Sequence, residues 1–303
     1  MARPLQKIKN HVIYLTARAL ILLLGLLPLG LLAPLGSCLG RCVFRLAASE
    51  RKKCLRNIAT AFPELSPGEG RRLGSEVFAH FGREALAMVR YRNWSREKVV
   101  QLVERIDGWE HFESAHSRGK GVLIVTAHLG NWEVLAACFA ARVPVAVVAQ
   151  KLYDPRFDDL ITRLRERWGS EVIQRGVALK GILRALSRGK TIGTLCDQDT
   201  GMDGVFVPFF GRPAWTQSGV VRVARRTGAP LVPCFIVREA NGRYRIFIEP
   251  AIAIPEAGDE TAIIRDAVRS FTEIIERRVR MHPEQWVWMH ERWRTRPESE
   301  KNG

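Results

Sequence analysis

The stretch GVLIVTAHLGNWE, residues 121–133, decides the fold. Val122 to Val125 is a short apolar, β-branched run, which predicts a buried strand. The small-residue turn after it presents His128. From Asn131 to Ala141 the helix formers Glu133, Leu135, Ala136, Ala137 and Ala140 predict a helix. A histidine at the carboxyl end of a strand, beside the start of a helix, stands where open α/β sheets place their active sites. Glu133 follows five residues on, within reach of the imidazole, so His128 and Glu133 are expected to form a general base and its orienting acid. With 7 His and 31 acidic residues in the chain, the spacing alone is not distinctive. The strand, turn and helix around it carry the reading; the plain alternative is a strand-end histidine capping the next helix.

Alternation continues outward from this centre. Strands are expected at Val143–Ala149, Glu171–Gln174, Thr191–Cys196, Pro230–Val237 and Tyr244–Ile248. Helices are expected at Pro155–Trp168, Val177–Ser187, Ala214–Thr227 and 260–281. Asp197 and Asp199 fall at another strand end, in DQDTG, where Asp and Gly can also simply shape a turn. From Lys52 to about Ser117 the pattern is helical, with a start at Ser66-Pro67-Gly68-Glu69: serine N-cap, proline at N1, acid at N3. The βαβα order predicts an α/β fold with a mixed, mostly parallel central sheet flanked by helices.

Length, at 303 residues, allows one large or two ordinary domains, and 47% hydrophobic with 26% charged residues is the composition of a folded chain. The net charge of +16 points to an anionic partner. Residues 1–56 hold ten basic residues (Arg3, Lys7, Lys9, Arg18, Arg41, Arg45, Arg51, Lys52, Lys53, Arg56) against Glu50, so ten minus one, or +9, sits at the front. Inside that region Ala19–Gly40 is free of charge for 22 residues, enough to cross a bilayer, which takes about 20. Pro28 and Pro34 would kink such a helix, leaving a re-entrant or interfacial segment as the alternative. The flanking basic residues place the rest of the chain in the cytoplasm and oppose a cleaved secretory signal. The six cysteines form no Cys-x2-Cys pair, as expected of small core residues in a reducing compartment.

No Gly-x-Ser-x-Gly elbow, Walker loop, dinucleotide fingerprint or second histidine of a zinc-protease helix is present. A His/acid base without a protein nucleophile suits direct attack of a substrate hydroxyl on an activated acyl group. Nucleic-acid binding is not expected, because the basic residues flank an apolar segment and no recognition module appears.

The motif TAHLGNWE, Gln150-Lys151, the helix with Arg163 and Arg165, CDQDTGMDGVFVPFFGRPAWTQSG (Cys196–Gly219) and HPEQWVWMHERWR (His282–Arg294) together resemble the lipid A secondary acyltransferases, a lauroyl/myristoyl transferase family within the lysophospholipid acyltransferase superfamily. The resemblance implies a glycerolipid acyltransferase-like domain at 46–295 behind a membrane anchor at 1–45, with a polar tail at 296–303. It implies an inner-membrane enzyme, facing the cytoplasm, that moves a fatty acyl chain from acyl carrier protein or coenzyme A to a hydroxyl of a lipid A precursor, with no metal or cofactor. Acylation of another glycolipid, such as a phosphatidylinositol mannoside or an ornithine lipid, is the enzymatic alternative. A non-catalytic membrane scaffold is the other class. Carried onto this chain, His128 would deprotonate the acceptor and Glu133 would hold the imidazole. Amides near Gly130 and Asn131, with Arg165, would face the oxyanion. Arg163 is either a substrate contact or a surface charge, and Asp197 and Asp199 would organise the arginine or touch the sugar. Val205–Phe210 is either core or acyl-groove wall, and Trp286, Trp288 and Trp293 read as packing or interfacial aromatics.

Overall fold

A computed structural model describes residues 4–298; Arg3 and residues 299–303, the end of the expected polar tail, lie outside it. Four helices lead the chain: α1 (Pro4–Leu24), α2 (Leu29–Leu46), α3 (Ala48–Ala61) and α4 (Pro67–Tyr91). The uncharged stretch Ala19–Gly40 is therefore not one helix, because the turn at residues 25–28 divides it. Pro28 precedes α2 in an extended conformation and has no amide hydrogen with which α1 could continue. Pro34 lies inside α2 without ending it.

Among the described residues, α2 is the one helix long and apolar enough to cross a membrane by length and composition. One of its faces is committed to protein. A Cβ on Gly36 would sit 2.4 Å from the Gly82 carbonyl oxygen, and one on Gly40 only 2.0 Å from that of Phe78. Only glycine lets the α2 and α4 backbones approach so closely. Leu31, Leu35, Leu39, Val43 and Leu46 of the same helix stay exposed. Helix α4 starts with the expected capping box: the Ser66 hydroxyl accepts from the Glu69 amide, and the Glu69 carboxylate accepts from the Ser66 amide at 2.9 Å.

The α/β part continues with α5 (Arg96–Val100), β1 (Val103–Asp107), α6 (Trp109–His116), β2 (Val122–Thr126), α7 (Trp132–Ala140), β3 (Val145–Ala149), α8 (Pro155–Arg167), β4 (Ser170–Gln174), α9 (Ala178–Leu186) and β5 (Thr191–Leu195). Then come β6 (Gly204–Phe209), β7 (Arg212–Gln217), α10 (Gly219–Thr227), β8 (Leu231–Arg238), β9 (Tyr244–Ile248) and α11 (Glu260–Met281). The seven-stranded sheet runs β1-β9-β8-β2-β5-β3-β4 and is parallel except between β8 and β9. The expected mixed, mostly parallel sheet flanked by helices is the fold observed.

All five residues of β2 are buried, which is why it reads as an unbroken apolar run. Leu123 and Val125 pack with residues of α9, α10 and α11 on one face. Val122 and Ile124 pack with those of α6 and α7 on the other. Each such side chain contributes roughly 1.5–3 kcal/mol by burial.

Two elements depart from expectation. The segment expected to be helical up to Ser117 contains the edge strand β1, whose charged residues Glu104, Arg105 and Asp107 obscure its period. The helix expected at Ala214–Thr227 begins at Gly219, because residues 212–217 form β7, antiparallel to β6. Their turn places Phe210 at φ 51° and Gly211 at φ 71°, the left-handed pair a two-residue hairpin requires. Val207 and Phe209 of β6 lie in the core. The groove-wall alternative for this segment gives way to packing: Phe209 lies against Trp286 and Trp293 in tilted contacts.

Candidate active site

His128 lies two residues beyond the end of β2, and Asp197 two residues beyond the end of β5. The two strands pair in parallel with Thr126 opposite Leu195, so this register brings both side chains to the same edge of the sheet. The Asp197 carboxylate accepts from the His128 amide at 2.9 Å and meets Nδ1 of its ring at 2.8 Å. The Trp286 indole donates to the same carboxylate at 2.8 Å.

The Asp197 side chain is fully buried, whereas the His128 ring is 21% exposed. Burial by itself would raise the Asp197 pKa. The charge and hydrogen bonds of His128, with the indole, outweigh it and hold the carboxyl below its ordinary value. An ionised Asp197 accepts only, so His128 Nδ1 is the donor, and in a neutral ring the lone pair is then on Nε2. The carboxylate against the ring is therefore Asp197, not the Glu133 that the spacing suggested.

Glu133 takes a different partner. It falls in the first turn of α7 and points across to α8, where Arg165 grips both carboxylate oxygens, Nε at 2.9 Å and a terminal nitrogen at 2.5 Å. Burial opposes the charge on Arg165, but Glu133 more than compensates and raises its pKa. Both side chains are mostly enclosed, at 15% and 18% exposure. Arg163, on the same helix, is a surface charge paired with Asp159.

Gly130 adopts φ 61°, and a Cβ there would sit 2.2 Å from the Ile236 carbonyl oxygen. Its amide donates to the Gln285 carbonyl at 3.1 Å, so it is not available to an oxyanion. Asn131 is also structural. Its side-chain oxygen caps α7 at the Val134 amide, and its nitrogen donates to Glu84 at 2.7 Å. Glu84, buried beneath the turn, also accepts from Arg238 at 2.9 Å and from the Tyr244 hydroxyl at 2.5 Å. Gln285 in turn exchanges two hydrogen bonds with the Arg238 backbone. The sequence singled out none of Glu84, Arg238, Tyr244 or Gln285 as site support. Only Gln285 falls in a recognised motif, HPEQW.

Asp199 is buried too, but it faces away from His128. Its oxygens accept from the Gly201 amide at 3.1 Å and the Thr295 amide at 2.7 Å, closing a turn and tying down the C-terminal segment.

A cavity of about 430 Å³ opens at this edge, within the range of small-ligand sites. His128, Trp132, Glu133 and Arg165 form its polar end, and Gln150 of the Gln-Lys motif also lines it. Leu123, Ile182, Val220 and Val223 line it where it runs between α9 and α10. Cys196 borders it as well, but burial pushes its thiol up to about 12, so it stays protonated and is a poor nucleophile. Among the described residues no group of three or more His, Cys, Asp or Glu could hold a metal ion. The arrangement joins a held imidazole base to an ion pair and an apolar channel. It is suited to taking a proton beside a bound hydrocarbon chain.

Relatives of known name match the chain in sequence along most of their length. The chain is 30% identical to the lipid A biosynthesis lauroyltransferase of Escherichia coli (strain K12), over 90% of this chain and 88% of the relative. It is 26% identical to the palmitoleoyltransferase of the same organism, over 91% and 89%. It is 24% identical to a phosphatidylinositol mannoside acyltransferase of Mycobacterium tuberculosis, over 70% and 67%. The family model described as bacterial lipid A biosynthesis acyltransferase matches residues 3–295, and the chain belongs to that family of acyl-transferring enzymes.

Proposed function

We propose that the protein transfers a fatty acyl chain from a thioester of acyl carrier protein, or of coenzyme A, to a hydroxyl of a lipid A precursor. The reading rests above all on one observation: His128, held by Asp197, stands at the polar end of a cavity whose far walls are apolar. The acyl chain lies along Leu123, Ile182, Val220 and Val223, with its carbonyl near His128. Nε2 takes the proton as the acceptor oxygen attacks that carbonyl. The tetrahedral oxyanion collapses, the C–S bond breaks, and the leaving thiolate takes the proton back from the imidazolium. Asp197 fixes the ring and stabilises its charged form. Glu133 and Arg165 act as a pair, Glu133 aiming the guanidinium at charge that develops on the carbonyl oxygen.

The front of the chain supports a membrane location. Leucines and valine exposed on α2, with the surrounding basic residues, suit an apolar phase under anionic headgroups, each nearby Lys or Arg contributing about 1 kcal/mol. The orientation we infer is the inner membrane with the sheet on the cytoplasmic side.

The test is transfer by purified protein from acyl carrier protein thioesters of several chain lengths to a lipid A precursor. Acylated product supports the reading. No transfer by folded protein, with coenzyme A donors included, overturns it. The mycobacterial relative makes phosphatidylinositol mannoside the second acceptor to offer.

A further inference from the structure

A second cavity, of about 250 Å³, lies on the other side of the loop that carries Asp197. Arg56 of α3, Arg212 at the start of β7 and Arg294 of the C-terminal segment converge on it, with Thr60 and Trp293 beside them. Four of its eight lining residues are arginines, Arg296 being the fourth, and one, Glu291, is a carboxylate. Glu291 accepts from one terminal nitrogen of Arg56 at 2.9 Å, so the cluster of four arginines and one carboxylate keeps a net positive charge. Arg294 approaches Asp199 at 3.8 Å and also feels the charge of Glu291, and Arg212 stands exposed at the start of β7. The floor is fixed: Asn57, which is buried, donates to the carbonyls of Trp288 and His290 at 2.8 and 2.6 Å. The positive charge is therefore gathered on three separate elements, two of which, α3 and the C-terminal segment, Asn57 ties together.

The loop after β5 forms the wall between the two cavities. Gln198, Thr200 and Met202 line the cavity that holds His128. Asp199, between Gln198 and Thr200, turns the other way and fixes Thr295, next to Arg294. A molecule that presents a hydroxyl to His128 and extends past this loop brings its next polar group to the arginines.

We propose that this cleft binds a phosphate group of the acyl acceptor. Guanidinium groups recognise phosphate by paired, charge-assisted hydrogen bonds, and three converging from different elements fix its position as well as its charge. The site deepens the function proposed above and rests on it for the acceptor's class, a phosphorylated glycolipid. Acyl transfer then requires two handles on the acceptor: the hydroxyl at His128 and the phosphate at Arg56, Arg212 and Arg294.

The experiment compares wild type, Arg212→Ala/Arg294→Ala and the surface control Arg188→Ala at one fixed ionic strength, on a phosphorylated acceptor and on the same acceptor after phosphatase treatment. Arg212 and Arg294 are on the surface, so the double variant is expected to fold; circular dichroism checks it. The double variant should raise KM for the phosphorylated acceptor about tenfold, the equivalent of ~1.4 kcal/mol. Its kcat should stay near that of wild type. On the dephosphorylated acceptor wild type should itself show the raised KM, and the double variant should add nothing. An unchanged KM, or an equal rise on both acceptors, overturns the proposal. Phosphorus NMR with inorganic phosphate separates this failure from that of the function. Should wild type transfer to neither acceptor, phosphate binding lost in the double variant keeps the cleft and removes only the acceptor assignment, whereas no binding by wild type removes both.

Discussion

The Asp197 carboxylate meets His128 twice, at the backbone amide and at Nδ1, 2.9 and 2.8 Å away, across two neighbouring parallel strands. It therefore sets both the position of the turn and the tautomer of the ring. The Trp286 indole completes its shell of donors. Trp286→Phe keeps the packing on Phe209 and Trp288 and removes that one hydrogen bond. A hydrogen bond to a charged group contributes about 1.5–3 kcal/mol. The variant should lose about tenfold in kcat with little change in KM, and the acid limb of its pH–rate profile should move. A wild-type profile would show that the indole only packs.

Glu133 and Arg165 form a mutually dependent pair. Either Glu133→Gln or Arg165→Gln leaves a mostly enclosed charge without its partner. Each should destabilise the fold by roughly 1–3 kcal/mol. The double variant should recover part of that loss while remaining as slow as the singles. A double-mutant cycle by urea unfolding and by kcat tests both halves; additive losses would show that the two act independently.

Gly130 is where the turn passes closest to β8. Gly130→Ala combines left-handed backbone, which costs a side chain roughly 1–2 kcal/mol, with a contact at 2.2 Å. Gly119→Ala is the control: its φ of 71° is similar, but nothing lies within 4 Å. The Gly130 variant should lose more stability than the control and also most of its activity. Equal unfolding midpoints would mean that Ile236 gives way.

The readable part of the fold was the part written locally. The run at Val122–Val125, the alternation through Ile248 and the capping box at Ser66 each carry their signal within a few residues. The same locality points to the wrong neighbour for the ring. Glu133 is five residues from His128 along the chain, whereas the carboxylate that holds the ring is 69 residues away. Asp197 was recognised at a strand end, but the pairing of β2 with β5 is what made it a partner. Strand β7 reads as helix in the sequence because its hairpin turns on Phe-Gly, not on the Asn-Gly or Asp-Gly that announces such turns. The support beneath the turn was hidden for the same reason. Glu84, Arg238 and Tyr244 come from elements far apart in sequence, and each alone reads as a surface charge or an ordinary core aromatic.

His80 gives the fold a pH dependence of known sign. Burial lowers its pKa from 6.5 to about 4, the nearby Glu84 opposing this and Arg83 and Arg238 adding to it. Between these values the unfolded chain binds a proton that the folded one refuses, so stability falls as pH drops from 6.5 towards 4. The full effect is on the order of 3 kcal/mol. His80→Leu should flatten this slope in urea midpoints measured across that range. A slope as steep as that of wild type would assign the acid sensitivity to other groups.

The central claim is that His128 is the base and Asp197 the residue that holds it. The most direct measurement is the single-turnover rate of acyl transfer from an acyl carrier protein thioester by wild type, His128→Ala and Asp197→Asn, with folding checked by circular dichroism. General-base catalysis contributes about 10²–10⁴-fold. The account predicts losses of that order in both variants. Transfer by folded Asp197→Asn at the wild-type rate, with His128→Ala inactive, would contradict it and return the orienting role to another carboxylate.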